Sequence, residues 1–226
     1  MRQYFLFLLL AFYAAAYAQQ PENPYGLDIL SDPRLYREAI AVDENQLMID
    51  LAVYIPGIVL DIRYATANNF TGQQVYDTAA AFLRKPVAEA LLRAQLELRS
   101  KGLGLKVFDA YRPYRATLKF FRVYPDKSFV AAPWLGSRHN RGAAVDLTLI
   151  DLSSGQELLM PTLFDDFTER ASPSYMELPE EAIRNREKLI NIMSKHGFSV
   201  FHTEWWHYDF RGWEQFGLMD IDLKDL

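Results

Sequence analysis

The chain of 226 residues contains no cysteine. Disulfide bonds and thiolate metal ligands are therefore excluded, and histidine and carboxylate side chains are the strong metal ligands that remain. An excess of basic residues is also missing, because 24 Lys and Arg stand against 29 Asp and Glu, for a net charge of −5. The sequence thus lacks the clustered basic surface of a nucleic-acid-binding protein, and we expect no nucleic-acid partner.

An apolar run covers residues 4–13 and follows the positive charge of Arg2. Ala16-Tyr17-Ala18 comes next as a small-residue cleavage motif, and this order predicts a secretory signal peptide over residues 1–18. A membrane anchor is the alternative, but an unbroken apolar run shorter than about 18 residues is marginal for spanning a bilayer. The missing cysteine also excludes a bacterial lipid anchor. We expect a mature protein that is exported to a periplasm, with no stable membrane insertion after cleavage.

The composition is that of an ordinary soluble globular protein, with 50% hydrophobic and 23% charged residues. The length suits one domain with a substantial core. We predict a lead-in segment over residues 19–46, which is loose and Pro-rich between 21 and 33, and a single domain over residues 47–226.

Periodicity predicts several helices and strands. The clearest helix covers residues 86–100, where proline occupies the first position and Gly102 follows as a stop. Its apolar face consists of Val87, Ala90, Leu91, Ala94 and Leu98. Further helices are predicted over residues 114–124 and 179–195, and strands over 58–64, 105–109, 143–149, 157–161 and 198–210. The helix over 179–195 is expected to bury Ile183, Leu189, Ile190 and Met193.

Two short segments carry candidate chemistry, one containing His139 and Asp146 and the other Glu204 and His207. Zinc in hydrolases usually has three nitrogen or oxygen ligands from the protein and a fourth position for water. A carboxylate beside that water can take its proton during attack on a carbonyl. We predict that His139, Asp146 and His207 bind one zinc ion and that Glu204 is the general base.

The pattern around the first segment supports this prediction. Gly142 allows a turn after His139, and the alternation of residues 143–149 is that of a strand. Asp146 then lies on the face opposite Val145, Leu147 and Leu149. Its small neighbours leave room for an ion.

The second segment predicts an irregular strand. Glu204 and His207 are three residues apart, so a regular strand would place them on opposite faces. Both can reach one ion only if the chain kinks or bulges near Trp205, and we predict that irregularity. His202 lies at an even spacing from Glu204, and we interpret it as a packed or surface histidine.

These segments resemble a known family. The order Ser-x-His-x-Arg-Gly-x-Ala-x-Asp at 137–146, followed by Glu-Trp-Trp-His-Tyr at 204–208, is similar to the zinc D-Ala-D-Ala peptidases of family M15. Within that family the chain resembles the VanX-type D-alanyl-D-alanine dipeptidases. Further family motifs occur in the same order at 61–72, 109–113, 160–165, 185–186 and 193–198.

The resemblance implies an α+β fold, in which a central antiparallel or mixed sheet carries the zinc ligands and helices pack against it. It implies hydrolysis of the small dipeptide D-Ala-D-Ala to two D-alanines, with one Zn²⁺ per chain. Two rivals stay open: a peptidoglycan D,D- or L,D-carboxypeptidase or endopeptidase of the same family, and a non-catalytic zinc-binding module. An exported dipeptidase would serve wall turnover or nutrition.

The resemblance also implies roles for four further residues. Arg112 matches the arginine that stabilises the anionic transition state, whereas the residue alone allows an ordinary surface ion pair. Asp165 matches the carboxylate that holds the substrate's ammonium, and Tyr64 matches a tyrosine near it, although carboxylates in a loop also suit a solvated face or a helix cap. Ser137 matches a residue that hydrogen-bonds the backbone or the carboxylate of the dipeptide, whereas its spacing alone fits a turn residue. Arg138 is bulkier than the small residue expected at this variable position.

Overall fold

The computed structural model describes residues 23–226, and the predicted signal peptide at 1–18 lies outside the described residues. The strands are β1 Ile29–Leu30, β2 Met48–Asp50, β3 Val59–Leu60, β4 Phe82–Arg84, β5 Leu103–Asp109, β6 Ala144–Asp151, β7 Phe198–Phe201, β8 Glu204–Phe210 and β9 Leu218–Met219. The helices are α1 Pro33–Val42, α2 Leu51–Tyr54, α3 Lys85–Arg99, α4 Tyr114–Val123 and α5 Glu180–Lys195.

A five-stranded sheet in the order β3-β5-β6-β8-β7 organises the described residues. β3 runs parallel to β5, and the other neighbouring strands are antiparallel, so the sheet is mixed. Helices α3 and α5 pack against strands of this sheet and against each other. The predicted α+β fold with a central mixed sheet is confirmed.

β6 is the middle strand of this sheet, between β5 and β8. Val145, Leu147 and Leu149 are fully buried on one face, as the alternation predicts. Thr148 on the other face is fully buried as well. A polar side chain on such a strand is costly unless it finds a partner, which makes the position of Asp146 informative.

Helix α3 has the structure that its sequence predicts. Its apolar residues Val87, Ala90, Leu91, Ala94 and Leu98 are at most 1% exposed. Gly102 follows with φ of +73°, a left-handed conformation that residues with a side chain rarely adopt, and the helix stops before it. The predictions of β5 and α4 also agree with the structure within two residues at each end.

Two of the predicted strands are much shorter than expected. The strand over 58–64 is reduced to β3, because the chain then turns through the 3-10 helix Arg63–Ala65 and buries Tyr64. The strand over 157–161 is reduced to a single bridge between Glu157 and β6. In both places the apolar residues pack into the core from irregular backbone. The alternation of apolar and polar residues does not distinguish such backbone from a strand.

The predicted strand over 198–210 is a hairpin of two strands, so a single strand is wrong. β7 and β8 pair in antiparallel orientation and are joined by His202 and Thr203. Glycine, proline and asparagine are missing from this turn, so the sequence has no ordinary turn signal there. His202 is exposed at the turn, in agreement with its interpretation as a surface histidine.

Helix α5 buries a different face from the expected one. The buried residues are Ala182, Asn185, Arg186, Leu189, Ile192 and Met193, whereas Ile183 and Ile190 are only half-buried. Arg186 replaces a predicted apolar residue because its guanidinium donates to the carbonyl of Tyr175 at 2.6 Å. A charged side chain that finds a backbone acceptor can therefore occupy a core position where periodicity predicts an apolar residue.

The predicted lead-in segment is folded where the structure describes it. Asp32 caps α1 by accepting a hydrogen bond from the backbone N–H of Arg34 at 2.8 Å. Tyr36 is buried, and its hydroxyl accepts from the N–H of Met48 at 2.8 Å. β1 pairs in parallel with β9, so the expected looseness is wrong for this strand. Within residues 23–226, every helix is too short or too polar to cross a membrane.

Candidate active site

A cavity of about 380 Å³ lies beside the first halves of β6 and β8. Its wall includes all eight side chains for which the sequence predicts a role. These are Tyr64, Arg112, Ser137, His139, Asp146, Asp165, Glu204 and His207. The fold therefore collects, around one space of ligand size, residues that are far apart in the chain.

The three predicted metal ligands come from a tight turn and two paired strands. His139 begins the 3-10 helix His139–Arg141, which ends at Gly142 with φ of +66°. A Cβ at Gly142 would also approach the terminal methyl of Met48 to 2.7 Å, but the positive φ is the main reason that this turn favours glycine. Asp146 on β6 and His207 on β8 are register partners, so strand pairing brings their side chains together.

The donor atoms of these three residues converge on one point. His139 Nε2 lies 3.1 Å from His207 Nδ1 and 3.3 Å from Asp146 Oδ1, and the remaining pair is 3.0 Å apart. Ligands of a tetrahedral ion with bonds of about 2.0–2.1 Å are separated by about 3.3 Å. Asp146 Oδ1 is buried and has no hydrogen-bond partner among residues 23–226. A divalent cation fits this donor set, and the predicted convergence of the three residues is observed.

Each imidazole is oriented by a second acceptor on its outer nitrogen. His139 Nδ1 lies 2.6 Å from the carbonyl oxygen of Ala110, and His207 Nε2 lies 2.9 Å from Asp209 Oδ1. Acceptors at these positions favour protons on the outer nitrogens and leave the inner lone pairs for a cation. Burial lowers the pKa of His207, but the carboxylates of Asp209 and Asp146 outweigh this and raise it well above its usual value. The pocket therefore stabilises positive charge at the ligand cluster.

Asp209 is a contributor that the sequence interpretation missed. It stands two residues after His207 on the same strand, so both side chains point to one face. An acidic residue at that spacing from a candidate histidine ligand is the signal that could have identified it.

Glu204 reaches the ligand cluster through the predicted irregularity. The β7–β8 register jumps from Val200 opposite Tyr208 to Phe201 opposite Glu204, so the strand is bulged around Trp205. The prediction of a bulge is confirmed. Glu204 Oε2 lies 3.8 Å from His207 Nδ1. Burial raises the pKa of Glu204 to about 8, although the neighbouring imidazole lowers it.

Arg112 is buried in the cavity wall, which rules out an ordinary surface ion pair. Its Nε and Nη2 both donate to Asp109 Oδ2, at 3.0 and 2.8 Å, and Nη2 lies 3.8 Å from Asp146 Oδ2. The guanidinium carbon lies 4.7 Å from the ring centre of Phe120, a cation–π contact. Asp109 also accepts from the hydroxyl of Tyr76 at 3.0 Å. Arg112 thus faces the metal ligands in one fixed orientation.

Asp109 is a second positioning residue without a role in the sequence interpretation. It lies three residues before the arginine within one motif, and that short spacing was the available signal. The contribution of Tyr76 comes from a distant loop, so no local pattern could have indicated it.

Asp165 is held in an unusual conformation. Its φ of +62° makes it the one non-glycine residue with positive φ within 23–226. The Tyr64 hydroxyl donates to Oδ1 at 2.9 Å, and the N–H of Phe70 lies 3.3 Å from Oδ2 as a second donor. Backbone strain of this kind concentrates at functional sites. Burial raises the pKa of Asp165 to about 7, although both hydrogen bonds lower it.

The loop that carries Asp165 is attached to β8 by its two tryptophans. The indole N–H of Trp205 donates to Thr162 Oγ1 at 2.9 Å, and Trp206 packs edge-on against Phe164. The same strand therefore positions Glu204 and the loop that bears Asp165. Asp166 is outside the cavity wall, so the two adjacent carboxylates differ in their surroundings.

Ser137 has a structural contact and also faces the cavity. Its Oγ accepts from the N–H of His139 at 3.2 Å, as a turn residue would. Its own N–H donates to Asn140 Oδ1 at 2.7 Å, and the Asn140 amide donates to the carbonyl of Arg112 at 2.9 Å. Asn140 thus ties the histidine turn to the segment that bears the arginine, a connection that sequence interpretation missed.

Comparison with known proteins identifies the family of this chain. The peptidase M15 family model, described as D-ala-D-ala dipeptidase, matches residues 44–215. A D-alanyl-D-alanine dipeptidase of Escherichia coli K12 is 38% identical over 162 residues, covering 72% of this chain and 83% of that protein. The Enterococcus faecium dipeptidase is 33% identical, with 70% and 88% covered, and the Streptomyces coelicolor one is 35% identical, with 68% and 86% covered. The chain belongs to the peptidase M15 family.

Proposed function

We propose that this protein is a zinc-dependent dipeptidase that hydrolyses D-Ala-D-Ala to two D-alanines. The observation that carries the proposal is the convergence of His139, Asp146 and His207 beside the carboxylate of Glu204. Membership of the peptidase M15 family and the similarity to named dipeptidases support the substrate class.

His139, Asp146 and His207 would hold one Zn²⁺ per chain through Nε2, Oδ1 and Nδ1. Zinc supplies Lewis-acid polarisation of a peptide carbonyl and lowers the pKa of a bound water. The two outer acceptors, the Ala110 carbonyl and Asp209, hold the ring protons on the outer nitrogens and turn the inner nitrogens toward the cation. The protein thus contributes ligand geometry as well as ligand charge.

Glu204 is the general base in this proposal. Its carboxylate takes a proton from the attacking water and delivers it to the leaving amine. The pKa of about 8, raised chiefly by burial, applies to the protein without a cation. A nearby divalent cation favours the carboxylate form and therefore lowers this pKa, in the direction that a general base requires.

Arg112 stabilises the negative charge that develops on the peptide oxygen. The buried guanidinium stays charged and is already oriented by Asp109, so little reorganisation accompanies the reaction. Its Nη2 lies within 3.8 Å of Asp146, which places the guanidinium next to the ligand cluster.

Asp165 and Tyr64 anchor the substrate's ammonium. An ammonium held at a fixed distance from the reacting carbonyl selects a dipeptide over a longer chain. Ser137 would hydrogen-bond the backbone or the carboxylate of the dipeptide from the cavity wall. This anchor favours the dipeptidase over a carboxypeptidase or endopeptidase, which would need an open cleft at that position.

The non-catalytic zinc module is a weaker alternative. Neither Glu204 nor Arg112 is needed to bind zinc, yet both are buried against the ligand cluster. Burying such charged groups is costly, and a purely structural zinc site has no use for them.

The experiment compares D-Ala-D-Ala with its N-acetyl derivative, using zinc-loaded protein and detecting released D-alanine. We expect hydrolysis of the free dipeptide and rejection of the blocked one. Glu204→Ala should keep one zinc per chain and lose turnover by about 10²–10⁴-fold. Preferred cleavage of the N-acetyl substrate would favour the carboxypeptidase, and full activity of Glu204→Ala would refute the assignment of the base.

We also propose that the catalytic domain spans 47–226 and that the protein works in the periplasm, in wall turnover or nutrition. The family match over 44–215 supports the domain boundary. The export proposal is supported by the apolar run and cleavage motif of residues 1–18. Cell fractionation with N-terminal sequencing tests it, and recovery of the mature protein from the cytosol would contradict it.

A further inference from the structure

Three guanidiniums line the cavity, and they differ in how they are engaged. Arg112 donates two hydrogen bonds to Asp109 Oδ2. Arg141 donates from Nη1 to the carbonyl of Phe216. Arg138 has a buried Nε without a hydrogen-bond partner among residues 23–226. Its donors are therefore the least committed of the three.

Arg138 is held in place by an aromatic ring and by charge. Its guanidinium carbon lies 4.8 Å from the ring centre of Trp213. The guanidinium carbon of Arg141 lies 5.2 Å from the same ring centre. Its nearest carboxylate is Asp209, with Nε and Oδ2 3.8 Å apart. Asp209 Oδ1 also lies 2.9 Å from His207 Nε2, so this carboxylate is shared between the imidazole and the Arg138 guanidinium.

The contacts place Arg138 and Asp165 on different sides of the ligand cluster. Asp165 binds Tyr64, whose ring lies 5.4 Å from the Arg112 guanidinium. On the other side, Asp209 connects His207 to Arg138. The direction of β8 agrees, because Glu204 precedes and Asp209 follows His207 along the strand. A negative group and a positive group thus flank the predicted metal site.

We propose that Arg138 binds the C-terminal carboxylate of the dipeptide, with Trp213 holding the guanidinium plane. This role rests on the proposed dipeptidase function and deepens it. A free dipeptide carries an ammonium at one end and a carboxylate at the other, which matches Asp165 and Arg138. The forked donors of a guanidinium suit a carboxylate better than the point charge of an ammonium does.

Lys127 is the other cation on the wall without a role in the proposal. Its neighbour Phe129 stacks on Phe167, which packs against Phe70 beside Asp165. A carboxylate placed there would lie on the side of the ammonium anchor. Lys127 is therefore the matched control for a cavity cation on the wrong side.

The test measures kcat and KM for D-Ala-D-Ala and for its C-terminal amide. The zinc-loaded wild type should prefer the acid by about 10- to 100-fold in kcat/KM, the value of a charge-assisted hydrogen-bonded pair. Arg138→Ala should reduce this preference to within about 3-fold, mainly by raising KM for the acid. Arg138→Lys should lie between the two, and Lys127→Ala should keep the wild-type ratio.

Controls keep this test interpretable. The Arg138 side chain is 40% exposed, so Arg138→Ala should retain zinc content and thermal stability. An unchanged acid-to-amide ratio in folded, zinc-loaded Arg138→Ala would overturn the proposal, as would a wild type that shows no preference.

A binding measurement separates this proposal from the proposed function. Calorimetry with zinc-loaded Glu204→Ala should show tighter binding of the acid than of the amide, and the added Arg138→Ala change should remove the difference. A wild type that binds with this preference but releases no D-alanine would refute the hydrolysis and support the carboxylate site. Equal binding of acid and amide would refute the carboxylate site, whatever the turnover.

Discussion

The metal side and the recognition side of the cavity are built differently. Asp146 and His207 lie on paired strands, so the register of a buried sheet determines their separation. Asp165 lies on irregular backbone between β6 and α5, with a positive φ that two hydrogen bonds maintain. The chemistry thus depends on the rigid sheet, whereas substrate selection depends on a strained loop and on Arg138, which has weaker contacts.

This difference predicts that substitutions on the metal side abolish function and those on the recognition side tune it. Asp146→Asn removes the ligand charge from a buried cluster, and we expect zinc loss and at least about 10³-fold lower kcat/KM. Inductively coupled plasma mass spectrometry and a D-alanine assay measure both quantities. Retention of zinc and activity in this variant would show that another residue supplies the carboxylate.

On the recognition side, Asp165→Asn should raise KM for D-Ala-D-Ala by about 10- to 100-fold and leave zinc content unchanged. The amide keeps the size of the side chain but loses the charge that pairs with an ammonium. Asp166→Asn is the matched control, because this neighbour does not line the cavity. Equal effects of the two substitutions on KM would indicate that the loop conformation, and not the carboxylate of Asp165, determines substrate binding.

Asp209→Asn tests how much the outer contact of His207 contributes to zinc binding. The loss of its charge weakens the orientation of His207, and we expect zinc affinity to fall by about 10- to 100-fold. At saturating zinc the activity should recover to within a few-fold of the wild type. Competition with a chromophoric chelator measures the zinc affinity. An unchanged affinity would mean that the contact between Asp209 and His207 does not contribute to zinc binding.

The smallest expected effect concerns stability. Burial raises the pKa of Asp165 to about 7, against about 3.9 for an unfolded chain. The unfolded chain therefore releases this proton at lower pH, and the free energy of unfolding falls as pH rises from about 4 to about 7. Asp165→Asn removes that fall, so the variant should be about 2–4 kcal/mol more stable than the wild type at pH 8 and nearly equal at pH 4.

Denaturant unfolding of both proteins in EDTA at the two pH values checks this prediction. EDTA removes the contribution of bound metal, so that the comparison reports on one carboxyl group. A stability difference that does not change with pH would contradict the raised pKa.

The two sides also differ in how far the sequence predicts them. His139, Asp146 and the bulge at Trp205 follow from local rules, since a glycine turn, strand alternation and a spacing of three each have a direct structural consequence. The role of Asp165 needed the family resemblance, because nothing in its local sequence requires a positive φ. The α+β fold was likewise predicted through the family.

Contacts between distant segments explain what sequence interpretation missed. Tyr76 meets Asp109 across 33 positions, and this pair sets the orientation of Arg112. The hairpin at His202 has no turn residue, and a buried Arg186 occupies a face predicted to be apolar. The Tyr76–Asp109 and Arg186–Tyr175 contacts are tertiary, so the local sequence pattern does not indicate them.

The most direct measurement of the central claim is anomalous diffraction at the zinc edge from crystals of the zinc-loaded protein. We expect one peak per chain, within about 2.0–2.2 Å of His139 Nε2, Asp146 Oδ1 and His207 Nδ1, with Glu204 beside the remaining coordination position. A peak at a different set of side chains, or zinc bound without one of these three residues, would contradict the account.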